Sequence, residues 1–435
     1  LALLLFFLWG SGNLNRQESR YRWAVFFAVL LAYYLIVSQR TAPGLITNQL
    51  MHTFHISAAT IGLMGSLQFL AYAVLQIPVG LLSDRFGPNR FLVIGAFLDG
   101  LGTLLYSISG NEYMLMGSRF LVGMGDATIF VNFVAVVNQW FQAREFISLL
   151  GIIGVAAGLG SLTATVPYAL WISAAGWRVP FFAVGLVIIA CAMLLYVVLI
   201  AKPKRMFDEH PGASGSRLRP HDHVAATLRR MFSTRQAWAT AMCHFGLVGT
   251  YVGFIGSWGV PYFMQVFGLS RAAASSLLMC GLFGAMAGGP VTSALATRFG
   301  MTKRIYTFVH AITFLSWLIW FLIGDRPPLW SIIVLLVLIG FGNGGSSLTF
   351  AVVRDSFPIE MVGVVSGFSN MGGFVSAVLL PSLFGYVLGL FPLHTLSLGY
   401  HYGLLIPALF SLVGFVGVRL IRQPMYMEAG THVSV

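Results

Sequence analysis

The chain has 435 residues, of which 57% are hydrophobic and only 9% charged, and its mean hydropathy is +0.84. No water-soluble domain of this length covers so much apolar surface with so few charges, so the composition excludes a soluble protein and leaves a polytopic membrane protein. A net charge of +12 raises nucleic acid as a partner, and the distribution of that charge decides the matter below.

LALLLFFLWG (1–10) is too short to span and lacks an initiating Met. It is a truncated signal-like segment, an upstream extension or a cloning remnant, and no role is drawn from it. Residues 1–22 are an N-terminal segment, cytoplasmic in part. Crossing about 30 Å of hydrocarbon takes about 20 apolar residues per helix, and the apolar runs here are too long and unalternating for outer-membrane strands. Twelve spans are expected, near 23–45, 57–82, 91–109, 113–139, 146–172, 179–200, 237–263, 270–296, 304–324, 329–352, 362–389 and 402–421. Residues 201–235 (AKPKRMFDEHPGASGSRLRPHDHVAATLRRMFSTR) are charged and rich in Pro and Gly, and read as a cytoplasmic linker. The linker separates a six-helix bundle over 23–200 from a second over 236–422, and residues 423–435 are a tail.

When alternate loops are assigned to opposite sides, 3 of the 25 Lys and Arg (Arg178, Arg271, Arg326) fall on one side, 2 (Arg40, Arg119) lie within spans, and the other 20 fall on the far side. That is the positive-inside asymmetry, with both termini and the linker in the cytoplasm, and it explains the net charge without nucleic acid. Cys191, Cys243 and Cys280 all lie in apolar spans and show no disulfide or metal spacing.

The halves repeat. LLSDRFGPNR (81–90) follows the second span and LATRFGMTKR (295–304) the eighth; at a shift of 213, Leu82, Arg85, Phe86 and Gly87 fall on Leu295, Arg298, Phe299 and Gly300. Pro167 in the fifth span meets Pro381 in the eleventh near the same shift. The fold class expected is therefore all-α integral membrane, with twelve helices in two pseudo-symmetric bundles facing a central axis.

GLLSDRFGPNR (80–90) resembles the signature between helices 2 and 3 of the major facilitator superfamily. RFLVGMG (119–125) resembles its helix-4 motif, WFQARE (140–145) the loop that follows, GWRVPFF (176–182) the start of its helix 6, and ATRFGMTKR the second-half copy of the signature. In physical terms, a carboxylate at a helix end can sit against the exposed N–H groups and positive dipole of another helix's N-terminus, a contact worth about 0.3–2 kcal/mol. The resemblance puts that partner near Met361–Val364 and makes Asp84 a latch that holds the cytoplasmic side closed. Gly80 and Gly87 allow close approach and a tight turn, and Arg85, Arg90 and Arg298 complete the motif. The plainer alternative is that Asp84, Arg85 and Arg90 only solvate a loop.

Ionisable groups inside spans cost roughly 2.5–3.5 kcal/mol each on insertion scales, so each is a functional candidate. Arg40, Asp99, Arg119 and Asp126 are the clear cases. Arg119 and Asp126 are two helical turns apart on one face, about 10 Å along the axis, too far for contact. Asp99 and Arg119 are expected to form a structural charge pair across adjacent helices. Asp126 lies near mid-membrane, where low dielectric disfavours the charged form of a lone carboxylate; it is the proton-coupling candidate, and a protonated structural acid is the alternative.

The stretch 39–87 is similar to the anion:cation symporter branch of the superfamily, which carries organic carboxylates. That branch places an Arg in helix 1 facing the central cavity, which the resemblance assigns to Arg40, and a Glu soon after the helix-4 motif, where this chain has Asp126. A guanidinium suits a carboxylate because it stays charged and offers paired donors; the alternative is that Arg40 snorkels to the outer surface. Bacterial members read Tyr-x-Asp-Arg before the substrate Arg, whereas this chain reads Val37-Ser38-Gln39-Arg40, so one of the branch's titrating carboxylates is here an amide.

Tyr72 and Asn370 match cavity positions of the branch. Tyr33, Tyr34, Gln76, His244, Tyr251, Asn343, Ser346, Ser347 and Ser369 are further polar groups in spans that could line the same cavity. For His244 and His310, a hydrogen-bonded interior ring and a proton relay are both open.

Enzymatic chemistry finds no support. His-Glu-x-x-His, Gly-x-Ser-x-Gly and Cys/His clusters are absent from the sequence, and Lys202, Lys204 and Lys303 follow Ala, Pro and Thr, so no phosphate loop exists. The reading is a non-enzymatic secondary active transporter of a small organic anion in the inner membrane, proton-coupled and working by alternating access without metal or cofactor. The superfamily resemblance implies a monomer. An exporter or uptake system for drugs, amino acids or other neutral metabolites is the alternative.

Overall fold

The computed structural model describes residues 20–56, 58–164, 166–202 and 224–422. The N-terminal stretch 1–19, the Pro/Gly-rich part of the linker (203–223) and the tail 423–435 lie outside the described residues.

Among the described residues the chain is helical and without strands. Twelve helices are long and apolar enough to cross a membrane. They are α1 (Tyr21–Ile46), α2 (Leu67–Phe86), α3 (Pro88–Ser107), α4 (Glu112–Trp140), α5 (Arg144–Ala175), α6 (Arg178–Ala201), α7 (Arg235–Ser257), α8 (Ala273–Phe299), α9 (Thr302–Leu322), α10 (Leu329–Ser356), α11 (Val362–Gly389) and α12 (Leu396–Leu420). A protein with so many apolar helices must satisfy its backbone inside each helix, because lipid offers no partners.

Several boundaries differ from those of the apolar runs. The helix containing α2 runs from Ala58 to Phe86, past the end expected at residue 82, so Asp84 and Arg85 belong to its last turn. A basic residue there complements the helix C-terminus. The expected seventh span splits: α7 ends at Ser257 and a separate helix, Gly259–Phe267, follows. Within the linker, Val224–Ser233 forms a helix whose Phe232 ring meets Phe368 of α11 at 5.4 Å.

The internal repeat is visible in the helices themselves. Ala58–Phe86 and Arg271–Phe299 are each 29 residues long, and each carries an internal proline, Pro78 and Pro290. Each ends at a glycine with positive φ, Gly87 at 87° and Gly300 at 62°, a conformation that glycine adopts without a Cβ clash. The arginines before them also match, Arg85 lying 5.2 Å from the Phe86 ring centre and Arg298 5.8 Å from that of Phe299.

The two ends of the helical array lie on one face with the linker. Tyr21 Oη at the start of α1 donates to Val198 O near the end of α6 at 2.7 Å, and Gln236 Nε2 at the start of α7 donates to Arg422 O at 3.0 Å. We call this the linker face.

Each half is built round an apolar core, the first on α1, α3, α4, α5 and α6 around Phe26, Phe133, Trp140 and Phe181, with Phe350 of α10 joining it, the second around Phe254, Trp317, Trp320 and Phe384. The halves meet along two seams. In the first, α2 runs against α11; in the second, α5 runs against α8, where a Cβ added to Gly151 would lie 3.0 Å from Pro290 Cα. Small residues at such crossings let backbones approach where no hydrophobic driving force exists between lipid-soluble helices.

Candidate functional site

The site begins at the end of α1. The α-helix Tyr21–Thr41 gives way to a 3-10 turn, Ala42–Ile46, where Pro43 has no N–H to donate to the next α-helical bond. Gln39 and Arg40 therefore sit in the last helical turn. Across from them, Asp126 is the fifteenth of the 29 residues of α4, the middle of that helix.

Arg40 and Asp126 form a bidentate ion pair. Nη2 donates to Asp126 Oδ1 at 2.8 Å, and Nε donates to Oδ2 at 3.1 Å and Oδ1 at 3.3 Å. The Arg40 side chain is 15% exposed and that of Asp126 1%, so the guanidinium points into the bundle and does not snorkel outward. Its face lies over the Tyr72 ring at 5.5 Å, within cation–π range.

The expected Asp99–Arg119 pair is not formed. Asp99 Oδ1 accepts from Gln39 Nε2 at 2.8 Å. Arg119 Nη2 donates to Gln68 Oε1 and to the carbonyl of Arg40 at 3.3 Å, and its Cζ lies 5.4 Å from the Tyr106 ring centre. The physical reason is that Gln39 and Gln68, both fully buried, meet these charges first with donors and acceptors of matching sense. Gln68 also donates from Nε2 to Asp126 Oδ2 at 2.9 Å, so it bridges Asp126 and Arg119, which are too far apart to touch.

Sequence reasoning missed Gln68. The signal was available: Gln68, Tyr72 and Gln76 stand at i, i+4 and i+8 in the otherwise apolar run 67–82 and so share one face.

That face continues across the seam between the halves. Asn370 Nδ2 on α11 donates to Tyr72 Oη at 3.1 Å and to Gln76 Oε1 at 3.0 Å, while Gln76 Nε2 donates to the Ala127 carbonyl at 3.1 Å. Phe374 closes on Tyr72 with ring centres 4.0 Å apart. Arg40, Asp126, Tyr72, Gln76 and Asn370 are thus brought into one connected cluster spanning α1, α2, α4 and α11.

Other candidates lie elsewhere. Tyr34 shares a hydrogen bond with Thr163 Oγ1 at 2.8 Å, tying α1 to α5. Tyr33 packs against Phe130 and Phe133. His244 Nδ1 is 3.0 Å from Thr349 Oγ1, which also meets Tyr306 Oη at 2.6 Å, a buried network inside the second half. Ser369 donates to Thr240 Oγ1 there. Tyr251 belongs to the apolar core of that half, Asn343 is half-buried on α10, and the Ser346 N–H caps back to the Asn343 carbonyl at 3.2 Å.

At the linker face, Asp84 Oδ1 accepts from Gly363 N at 3.0 Å and Oδ2 from Val364 N at 2.8 Å, the first amides of α11. Gly80 is what permits this approach, since a Cβ there would lie 2.7 Å from Val364 Cα and 2.8 Å from Gly363 O. Gly87 makes a one-residue turn into α3, whose first residue is Pro88. Arg85, Arg90 and Arg298 are exposed and are not part of the contact with α11. Glu145 pairs with Arg22 at 2.9 Å and closes a capping box with Gln142. Cys191 and Cys243 are buried free thiols and Cys280 is half-buried.

Twelve apolar helices in two repeated halves, with a charged cluster buried among them, define a multi-pass transport protein rather than an enzyme. The sequence matches the Major Facilitator Superfamily over residues 23–381, with a second match over 260–428, and the chain belongs to that superfamily. It is 23% identical over 403 residues to the probable galactarate/D-glucarate transporter GudP of Bacillus subtilis (strain 168), covering 85% of this chain and 86% of that one. It is 25% identical over 373 residues to the gentisate transporter of Corynebacterium glutamicum, covering 83% and 79%. Among solved structures, a variant of the Escherichia coli fucose:proton symporter FucP superimposes with a TM-score of 0.72 at 17% identity, over 93% of this chain and 99% of that one. This likeness fixes the fold.

Proposed function

We propose that this protein is a secondary active carrier of small organic carboxylates in the cytoplasmic membrane, with its linker face in the cytoplasm, and that it couples their movement to protons by competition for Arg40. The observation that carries the reading is the buried bidentate Arg40–Asp126 pair. Removing one partner of a buried ion pair costs about 3–5 kcal/mol because the other charge is stranded. A proton delivered to Asp126 releases Arg40, and a solute carboxylate then takes the same two donors. Neither event is favourable alone, so proton and anion bind together.

The same pair accounts for the return step. An empty carrier must reorient without a stranded charge, and Asp126 neutralises Arg40 when no solute is present. This favours symport over obligatory exchange, in which the empty carrier is arrested. Tyr72, Gln76 and Asn370 shape the solute site at the seam between the halves. The contact of Asp84 with Gly363 and Val364 acts as a latch that holds the cytoplasmic side closed while the site faces outward, and rocking of the bundles breaks it. The curated relatives named for galactarate, D-glucarate and gentisate support a carboxylate cargo.

The test is thermal-shift screening of purified protein against carboxylates, amines and neutral metabolites, repeated with Arg40→Ala. A ligand at one hundred times its Kd stabilises by about 2.7 kcal/mol. Stabilisation confined to carboxylates and lost in the variant is expected; unchanged binding removes Arg40 from the site. In proteoliposomes, Asp126→Asn is expected to bind carboxylates and exchange them but to concentrate them less than the wild type under an imposed pH gradient. Accumulation by that variant at the wild-type level rules out the proton role of Asp126.

A further inference from the structure

Beside the Arg40–Asp126 pair lies a second buried carboxyl whose surroundings are chemically incomplete. Asp99 is wholly buried in α3, and so is Gln39. One hydrogen bond joins them, from Gln39 Nε2 to Asp99 Oδ1 at 2.8 Å. The other oxygen of each side chain, Asp99 Oδ2 and Gln39 Oε1, has no hydrogen-bond partner. Both are acceptors, and buried acceptors without donors are costly. Turning the Gln39 amide over does not cure the deficit, since Oε1 would then face a carboxylate oxygen with no hydrogen between them.

We propose that Asp99 and Gln39 form a second proton-binding site in this carrier. A proton on Asp99 Oδ2 turns that oxygen into a donor to Gln39 Oε1, while Gln39 Nε2 continues to donate to Oδ1. The result is a two-bond acid–amide ring in which both orphaned atoms are satisfied by one proton. The neighbouring ionisable groups are Arg40 of α1, Arg119 and Asp126 of α4 and Tyr168 of α5. Helix α6 sets Gly185 and Ile189 against the adjoining Gly100. From α2, the neutral Gln68 meets Asp126 and the Tyr72 ring lies beside Arg40.

The formal charges of the cluster lead to a stoichiometry. Arg40 and Arg119 are balanced by Asp126 and Asp99 when both acids are ionised. With both protonated, two guanidinium groups remain, which matches a dianionic solute. On the reading of the site as a carboxylate–proton symporter, and resting on it, two protons accompany each dicarboxylate.

Infrared difference spectra of the purified protein carrying ¹³C-labelled aspartate, recorded as the pH is lowered, test the site without requiring transport. A C=O stretching band of a buried protonated carboxyl is expected that disappears in Asp99→Asn and persists in Asp126→Asn. In Gln39→Met, which keeps every charge, the same band is expected to remain but to move in frequency and in titration midpoint, because the acid–amide ring is gone. A protonated-carboxyl spectrum unchanged by both Asp99→Asn and Gln39→Met overturns the proposal; this is the result expected if a water bridges the two acceptors. The proton-to-solute ratio in proteoliposomes, with D-glucarate as probe, is expected to fall from two to one in Asp99→Asn, and an unchanged ratio also counts against the site. If the Asp99 band is present but none of the carboxylates of the thermal-shift screen is bound or carried, the carboxylate reading fails and the proton site stands.

Discussion

Gln68 stands between two charges that cannot reach each other: its Nε2 donates to Asp126 Oδ2 at 2.9 Å and its Oε1 accepts from Arg119 Nη2. A neutral amide is thereby the keystone of the charged cluster, because it offers a donor to the anion and an acceptor to the cation from one rigid plane. Hydrogen bonds to charged groups are worth about 1.5–3 kcal/mol each. Gln68→Leu, similar in size and better suited to lipid, is expected to lower the unfolding temperature in detergent despite its apolarity, while Leu70→Ala on the exposed side of the same helix leaves it nearly unchanged. An unchanged melting temperature in Gln68→Leu would mean the bridge contributes nothing.

The Arg40–Asp126 pair makes a separable prediction about geometry against charge. Arg40→Lys keeps the positive charge but replaces a planar fork with a point charge, so carboxylate affinity is expected to fall about tenfold with the fold retained. Arg40→Ala strands Asp126 and is expected to destabilise the protein by about 3–5 kcal/mol. Adding Asp126→Ala should recover much of that loss. A double-mutant cycle on thermal unfolding measures the coupling, and additive effects of the two substitutions would show that the pair contributes no stability.

At the linker face the prediction concerns populations. Asp84 receives two backbone N–H groups of α11, and Asp84→Ala removes both charge-assisted bonds, each about 1.5–3 kcal/mol. Since 1.4 kcal/mol is a factor of ten, the open-to-closed ratio at this face is expected to rise at least tenfold. Spin labels at the exposed positions Arg144 and Glu360, one in each half, report the change as a longer distance. Gly80→Val is expected to do the same by a different route, because its Cβ would lie within 2.7 Å of the α11 backbone. A distance distribution identical to wild type in both variants excludes the latch.

The outline of the fold was legible because hydrophobic length is a strong signal in a membrane chain, and a shift of 213 between two decapeptides exposed the repeat. Helix ends were less legible: Asp84 and Arg85 continue a helix beyond its apolar run, since charged residues are tolerated in a last turn at the interface. Arg40 and Asp126 could be singled out one by one from the cost of burying charge. Their pairing could not, because which of two arginines meets which of two aspartates depends on helix rotation and on Gln39 and Gln68, uncharged side chains that composition does not flag. The Asp84 contact was anticipated at Met361–Val364 only through a family resemblance, as nothing local in VGVVSGF announces a helix start that receives a carboxylate.

Tyr72 joins the two parts of the site, and its two roles can be taken apart. Its ring lies 5.5 Å from Arg40 Cζ, and its hydroxyl accepts from Asn370 Nδ2 on the other half. Tyr72→Phe keeps the ring and deletes the hydroxyl, leaving Asn370 bonded to Gln76 alone. The expectation is a modest loss of carboxylate affinity, about 0.5–1.5 kcal/mol for one neutral hydrogen bond, with solute preference unchanged. Tyr72→Leu deletes both functions and adds the loss of a cation–π contact, worth up to about 2 kcal/mol where desolvated. The two variants should therefore differ in Kd by roughly three- to thirtyfold when titrated with the same carboxylate. Equal affinities in Tyr72→Phe and Tyr72→Leu would show that the ring does not stabilise Arg40 in the bound state, and that Tyr72 acts only through its bond to Asn370.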